Sequence, residues 1–386
     1  MANVITEVAN QSIFGRIGRS FVGMLVGIAL LIGSVILLFW NEGRAVATAK
    51  SLREGAATVI DVPSDNINPA NDAKLVHVTG DTAVVGPLED SLFNISETAL
   101  RLRRNIQVYE WKEKKESKSR DKIGGGKETT TTYTYEKAWA PELIRSSSFK
   151  SSDDHQNPAR LEIPKKEFVA KNATLGQFKL TPQIIGKISG DESLDATEER
   201  LSKVSEDLQS KLKIDGDRFY LGADPANPEI GDEKVSFTVL PPGRVSVVAA
   251  QTKQSFAPYV TKNEREIELV EAGNVSAPQM FAHAQAANRT LTWILRAVGF
   301  AATFFGGMLV LGPISAFAHI LPFLGSLAEI GFALVAFLLS AIVSLLVIAV
   351  AWIFYRPVMG AILIAAAIGC IILLKRLHAK RTPVAA

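Results

Sequence analysis

An uninterrupted apolar run near the N-terminus constrains this chain more than any other feature. Phe21 to Trp40 reads FVGMLVGIALLIGSVILLFW, a run of 20 residues without a charge. A helix rises about 1.5 Å per residue, so a run of this length crosses a hydrocarbon core of about 30 Å. The apolar part of a cleaved signal peptide covers only about 7–15 residues. The sequence therefore predicts that residues 21–40 form a first membrane span, used as a signal anchor.

The C-terminal part of the chain carries further apolar runs. Pro313 and Pro322 bracket a stretch that is too short to cross, and the Arg356-Pro357 step disfavours helical geometry. The pattern predicts a second span, an interfacial or re-entrant segment, a third span and a fourth span, at residues 291–312, 313–329, 330–355 and 357–374.

The orientation of these spans follows from basic residues near the two ends. Arg16 and Arg19 precede the first span, and the tail 375–386 is basic. Positive charge near short ends favours the cytoplasmic side. Residues 1–20 and the tail are thus expected in the cytoplasm, with residues 42–289 outside it. The formal net charge of +3 is too small to indicate nucleic-acid binding.

Residues 42–289 read mostly as strands. Alternation over Leu100–Val108 predicts a strand with Arg101 and Arg103 on its wet face, followed by a long hairpin whose tip contains Gly124–Gly126. A second block around Pro241-Pro242-Gly243 predicts an antiparallel meander. We expect a membrane α+β protein, in which a β-rich extramembrane domain is inserted between the first and second spans of a four-transmembrane-helix bundle.

Two helices are predicted inside or beside that domain. Apolar residues from Leu194 to Leu212 recur at helical spacing, and Asp195 with Glu198 resembles a capping box. Ser276 with Gln279 marks the start of a second helix, which we expect to run as a stem into the second span.

No residue pattern in the chain indicates catalysis, a cofactor or a metal ion. Asp153-Asp154-His155 is the densest group of metal-ligand types, but adjacent residues point in divergent directions, so a solvated loop is favoured. Cys370 is the single cysteine, which excludes an intramolecular disulfide. The chain is therefore predicted to be non-enzymatic, although a site assembled from distant residues stays open.

Four charged residues lie where the predicted spans leave the membrane. Glu42 and Arg44 follow the first span, Arg296 lies about a turn inside the second, and Arg356 joins the third to the fourth. Charges in hydrocarbon tend to pair, so we expect Glu42 to lie within reach of Arg296 or Arg356. The alternative is that both arginines extend to lipid headgroups.

Short motifs in collinear order over nearly the whole chain resemble the LUMA family (transmembrane protein forty-three). They are Trp40-Asn41-Glu42-Gly43-Arg44-Ala45, Leu102-Arg103-Arg104, Tyr109-Glu110-Trp111, Tyr133-Thr134-Tyr135 with Trp139, Asn157-Pro158, Gly231-Asp232 with Val235-Ser236-Phe237, Thr292-Trp293 with Leu295-Arg296-Ala297, and Trp352 with Phe354-Tyr355-Arg356-Pro357. Each motif alone is weak, and their order makes the resemblance specific.

The resemblance implies four spans, self-association and a role in organising membrane protein complexes. Animal members reside in the endoplasmic reticulum and inner nuclear membrane with a luminal domain. Alanine-rich spans suggest a bacterial member in the inner membrane, with a periplasmic domain. Gly306 and Gly307 are a candidate oligomer face. The alternative function is an ion channel or transporter gated by the extramembrane domain, with Arg296, His319 and Glu329 near a polar path.

Overall fold

The computed structural model describes residues 3–122, 126–318 and 322–358, together with 360–362, 365 and 369. The α-helices are α1 (Ile13–Thr58), α2 (Pro182–Lys187), α3 (Glu198–Leu201), α4 (Glu206–Gln209), α5 (Ala277–Ala318) and α6 (Pro322–Tyr355). The strands are β1 (Val4–Gln11), β2 (Ile60–Asp61), β3 (Leu75–Val84), β4 (Leu88–Asp90), β5 (Ile95–Glu97), β6 (Arg101–Asp121), β7 (Lys127–Ala140), β8 (Lys166–Val169), β9 (Ala173–Leu175), β10 (Phe178–Lys179), β11 (Glu192–Leu194), β12 (Leu212–Asp215), β13 (Arg218–Leu221), β14 (Glu233–Leu240), β15 (Arg244–Thr252), β16 (Ser255–Ala257), β17 (Tyr259–Val260), β18 (Glu266–Ile267) and β19 (Leu269–Ala272).

The chain divides into two compact units. The first comprises residues 1–7, 53–118 and 130–283 and carries most of the strands. The second comprises residues 8–52, 119–129 and 284–386 and carries the long apolar helices.

Within the described residues, 3 helical segments are long and apolar enough to cross a membrane, at Gly18–Thr58, Ala277–Ser315 and Ile330–Tyr355. They correspond to the first three predicted spans, and the β-rich part lies between the first and second. Most of the predicted fourth span, residues 357–374, falls outside the described residues, as do the tail, His319 and the side chain of Glu329. Helix α5 also runs through Pro313, where the pattern had predicted an interruption. Proline is tolerated in membrane helices because neighbouring groups compensate for the lost hydrogen bond.

The stem predicted from Ser276 is confirmed. The backbone N–H and the hydroxyl of Ser276 both donate to Gln279 Oε1, at 3.1 and 2.9 Å. Helix α5 then continues from Ala277 into the second span without a break. The cap gives a hydrogen-bond acceptor to the Ser276 N–H, which has no partner inside the helix.

The first sheet is built around the predicted hairpin of β6 and β7. Its strands follow the order β1-β7-β6-β14-β13-β12, while β8 also pairs with β6 and β11 with β14. Leu102 and Ile106 on β6 are buried, as the alternation requires. The pairing of β6 with β7 confirms the predicted hairpin, and Gly124 and Gly125 of its predicted tip lie outside the described residues.

The second sheet closes on itself. Strand β15 pairs with both β3 and β16, and the series continues through β10 and β9 back to β3. Two further strands lie beyond this closed series: β19 pairs with β15, and β2 pairs with β3. Closure leaves few unpaired main-chain groups. The predicted meander is only partly correct, because β14 and β15, on either side of Pro241-Pro242-Gly243, belong to different sheets.

Each sheet encloses its own apolar core. The core of the second sheet includes Val76, Val247, Phe178 and Ile184. The core of the first includes Phe93, Phe219 and Phe237, whose rings contact one another at centroid distances of 5.1 to 6.3 Å.

Two arginines of β6 are buried, against the prediction of a wet face for Arg101. Arg101 is 2% exposed and donates to the carbonyl oxygens of Ile185 and Ile188 at the end of α2. Arg104 is 3% exposed and donates to both oxygens of Asp90, at 2.8 and 2.7 Å. The alternation fails at Arg101 because carbonyl groups at the end of α2 accept from it on the expected wet face, and Arg104 is tolerated on the face of Leu102 because Asp90 accepts from it. These acceptors offset the cost of burying each cation.

The predicted helix over Leu194–Leu212 is wrong. Leu194 lies on β11, paired with β14, and Leu212 lies on β12, paired with β13. Only the single turns α3 and α4 remain, and the N-cap of α3 is Thr197 rather than Asp195. Pairing with existing strands buries Leu212, partly buries Leu194 and outweighs the local helical spacing.

The N-terminal segment contains a strand that the sequence pattern did not predict, and the cytoplasmic location of residues 1–20 stays a prediction. Strand β1 pairs with β7 at the end of the first sheet. Within the first unit, the Tyr135 N–H donates to the Asn3 carbonyl at 2.9 Å, and Glu7 forms an ion pair with Lys150 at 2.6 Å.

The segment between β7 and β8 is attached to the first sheet by two buried carboxyl groups. Glu110 Oε2 accepts from the Ile144 N–H at 2.9 Å. Glu233 accepts from the N–H groups of Glu162 and Ile163, at 2.6 and 3.0 Å. Burial raises the pKa of both carboxyl groups above the ordinary value.

The raised pKa values predict a stability that falls as pH rises. A carboxyl group whose pKa is higher in the folded state binds more protons there, so its contribution is complete below the ordinary pKa of about 4.3 and is lost as pH passes the raised value. Glu110→Gln keeps an acceptor for Ile144 and should flatten the pH dependence of the thermal midpoint of the full chain in detergent. The control Glu192→Gln, at an exposed site, should leave the pH dependence of the thermal midpoint unchanged. An unchanged slope in Glu110→Gln would contradict the assignment.

Candidate functional site

A buried carboxylate joins the three described membrane helices. Glu42 lies on α1 just after the apolar run and is 0% exposed. Its Oε1 accepts from Arg296 Nε on α5 at 2.6 Å, and its Oε2 accepts from Trp352 Nε1 on α6 at 2.8 Å. Both oxygens are therefore occupied, each by a different helix. The predicted pairing of Glu42 is thus made with Arg296.

A second set of polar contacts joins α1 to α5 next to this carboxylate. Asn41 Nδ2 donates to the Thr292 carbonyl at 3.0 Å. Arg44 donates to Asn288 Oδ1 and to Thr292 Oγ1, each at 3.0 Å. Asn288 Nδ2 in turn donates to the Ala45 carbonyl at 3.0 Å. The two helices are held in register by amide, hydroxyl and guanidinium groups rather than by apolar packing alone.

Aromatic rings surround the guanidinium groups. Arg296 lies over the rings of Trp293 and Trp352, at 4.7 and 5.9 Å from their centroids. Arg356 lies over Trp352 at 5.5 Å. Trp352 therefore contacts both arginines and donates its N–H to Glu42. Such contacts strengthen when water is excluded.

Small residues bring the helices together deeper in the bundle. A Cβ atom added at Gly306 would lie 3.0 Å from the Gly27 carbonyl oxygen, and one at Gly307 would lie 3.6 Å from Ala336 Cβ. Thr303 Oγ1 also lies within hydrogen-bond distance of Ser34 Oγ, at 2.9 Å. The structure places Gly306 and Gly307, the candidate oligomer face, against helices of the same chain, so packing within one chain accounts for both.

The sequence reasoning located the charges of this cluster but missed its neutral members. Asn288 and Thr292 precede Arg296 at four-residue spacing, and that polar stripe was a usable signal. Trp352 gave no comparable signal, because an indole within an apolar run looks like an ordinary lipid-facing residue. Its role depends on Glu42, which lies far away in sequence.

The β-rich part offers no comparable assembly of reactive groups among the residues that the structure describes. No three His, Cys, Asp or Glu side chains there are placed to hold a metal ion. His155, predicted in a solvated loop, is instead 0% exposed. It stacks on Tyr135 at a centroid distance of 3.7 Å and meets Trp111 edge-on at 4.7 Å. Aromatic packing at this residue outweighs the polar character of the preceding aspartates.

These features define a multi-pass integral membrane protein whose helices enclose buried charges and which carries a large β-rich domain. A family model described as Transmembrane protein 43 matches residues 108–357. The chain is 32% identical over 380 residues to mouse Transmembrane protein 43, covering 96% of this chain and 92% of the relative. It is 33% identical over 361 residues to the human protein, covering 91% and 88%. A Transmembrane protein 43 homolog from Drosophila melanogaster is 30% identical over 356 residues, covering 89% and 91%.

The chain therefore belongs to the Transmembrane protein 43 family, as the motifs had indicated. No solved structure matches it significantly.

The Glu42 cluster predicts strong coupling between two substitutions. Glu42→Gln leaves the Arg296 guanidinium, whose side chain is only 14% exposed, without a counter-charge and should reduce the unfolding free energy by about 3–5 kcal/mol. Arg296→Gln should cost less in that background than alone, because the partners interact directly. The measurement is a double-mutant cycle on thermal or denaturant unfolding in detergent. Additive losses would show that the two side chains act independently.

Proposed function

We propose that this protein is a non-enzymatic, self-associating membrane scaffold that organises membrane protein complexes through its β-rich domain. The observation that carries the proposal is the carboxylate of Glu42, which is shared between Arg296 and Trp352. A buried carboxylate that binds two further helices favours one fixed arrangement of the bundle, since leaving such a charge buried without its partner costs about 3–5 kcal/mol. A bundle with one fixed arrangement is better suited to a membrane scaffold than to a channel or transporter that must open and close.

The β-rich domain supplies main-chain surface for partners. In the described part of the first sheet, β12 pairs only with β13, so its other edge carries unpaired N–H and C=O groups. Edge strands of this kind accept a strand from a partner. Self-association follows from the family resemblance rather than from Gly306 and Gly307, which pack within the chain.

The proposed topology has four crossings, with both termini in the cytoplasm and residues 42–289 outside it. It rests on the positive charges at Arg16 and Arg19 and in the tail. The outside is the periplasm for a bacterial inner-membrane protein, and the lumen for a protein of the endoplasmic reticulum and inner nuclear membrane.

Thiol labelling tests this topology in a Cys370→Ala background. A cysteine at Asp153 should react with an impermeant reagent from the non-cytoplasmic side, and one at Thr6 only after the membrane is opened. Labelling of both from one side would contradict the proposed topology and would instead agree with the pairing of β1 with β7.

Reconstitution tests the scaffold against the alternative of an ion channel or transporter. Native mass measurement in mild detergent and in nanodiscs should give a species larger than one chain, and liposomes containing the same protein should show no ion flux above protein-free liposomes. A strictly monomeric protein would contradict self-association. Ion flux that disappears in Glu42→Gln would favour the channel.

A further inference from the structure

One stripe of α5 combines two arginines with an exposed indole. Arg289, Trp293 and Arg296 follow each other at spacings of four and three residues, which places them on one side of a helix. Arg289 is exposed, and the exposed fraction of Trp293 is 67%. Asn288 and Thr292, on the adjacent side, are buried against α1. Arg289 and Trp293 therefore face outward beside the α1 contact, while the Arg296 side chain, 14% exposed, turns toward Glu42 on α1.

The C-terminal end of α6 completes a basic, aromatic surface. Arg356 is half-buried over the ring of Trp352, and Trp352 also contacts Arg296, whose guanidinium covers Trp293. The contacts thus run without a gap from Trp293 on α5 to Arg356 beyond α6. Two guanidinium groups and two indoles form this surface, with Arg289 further along the α5 stripe.

The charges on this surface are not balanced. Glu42 neutralises Arg296 through the 2.6 Å ion pair. Among the residues that the structure describes, no carboxylate lies within ion-pair distance of Arg289 or Arg356. The segments 284–296 and 352–357 contain no Asp or Glu at all. The surface therefore carries a net positive charge while its one buried carboxylate is already used.

The depth of the surface matches lipid headgroups. The apolar run of α5 begins at Leu291, and Arg289 lies just before it. Arg289 and Arg296 are separated by about 10 Å along the helix axis, at 1.5 Å per residue. Tryptophan and arginine at the end of an apolar run lie at the level of phosphates and glycerol groups. A guanidinium group binds a phosphate through two parallel hydrogen bonds.

We propose that Arg289, Trp293, Arg296 and Arg356 form a binding site for the phosphate of an anionic phospholipid headgroup. Arg289 and Arg356 supply the uncompensated charge. Arg296, fixed by Glu42, positions Trp293 against the lipid. The site differs from simple extension of arginines into the headgroup layer, because it selects anionic over zwitterionic lipid.

The test uses the full chain in nanodiscs that contain brominated lipid, which quenches tryptophan fluorescence on contact. Brominated phosphatidylglycerol should quench the wild-type protein at lower mole fraction than brominated phosphatidylcholine. In the double variant Arg289→Gln/Arg356→Gln this preference should fall roughly thirtyfold, given the contribution of each of the two cations near an anionic surface. The control Lys171→Gln/Lys253→Gln removes the same charge from exposed residues of the β-rich part and should keep the preference.

Two further measurements locate the lipid and identify its source. Trp293→Phe should remove most of the difference in quenching between the two lipids, and inorganic phosphate should not displace the brominated lipid. The double variant should keep the thermal midpoint in detergent, because the contacts of Glu42 are intact. Equal quenching of the wild type by both lipids would overturn the proposal. Loss of the preference in the control variant as well would show a general charge effect and overturn the specific site. Displacement of the brominated lipid by inorganic phosphate would show that the site binds a free anion rather than a lipid.

Discussion

A charged carboxylate without water must be surrounded by donors, and Glu42 shows how this requirement organises the membrane helices. Leaving the charge unpaired in hydrocarbon costs about 2.5–3.5 kcal/mol or more. Arg296 and Trp352 remove that cost only if α5 and α6 each pack against α1 at one particular depth and one particular rotation about the helix axis. The close approach of Gly306 to Gly27 requires the same alignment. The polar and small-residue contacts therefore specify a single arrangement of the bundle.

The β-rich unit uses the same principle. Arg104 is buried with Asp90, and Arg101 is buried against the carbonyl groups at the end of α2. Glu110 and Glu233 fix the segment after β7 through backbone N–H groups. Each of these buried charges has a specific partner, and removing the partner costs more than the pair itself contributes. These groups define positions in the domain that apolar packing alone would leave less specific.

Local patterns predicted well where the local environment decides the structure. The apolar runs, the hairpin of β6 and β7 and the start of α5 at Ser276 depend on residues close in sequence. The failures occurred where distant partners intervene. Leu194–Leu212 has helical spacing, but its two ends complete strands of the first sheet. Arg101 occupies a position expected to face water, and carbonyl groups of α2 bury it.

The sequence by itself determined which three of the described segments are long and apolar enough to cross a membrane, and which family the chain belongs to. Only the tertiary structure decided that Glu42 pairs with Arg296 rather than Arg356, that Trp352 supplies the second donor, and that Gly306 and Gly307 pack inside the chain. The physical reason is that periodicity and hydropathy report the environment of a residue along its own helix. Partners that lie hundreds of residues apart in sequence are selected by the depth and rotation of packed helices.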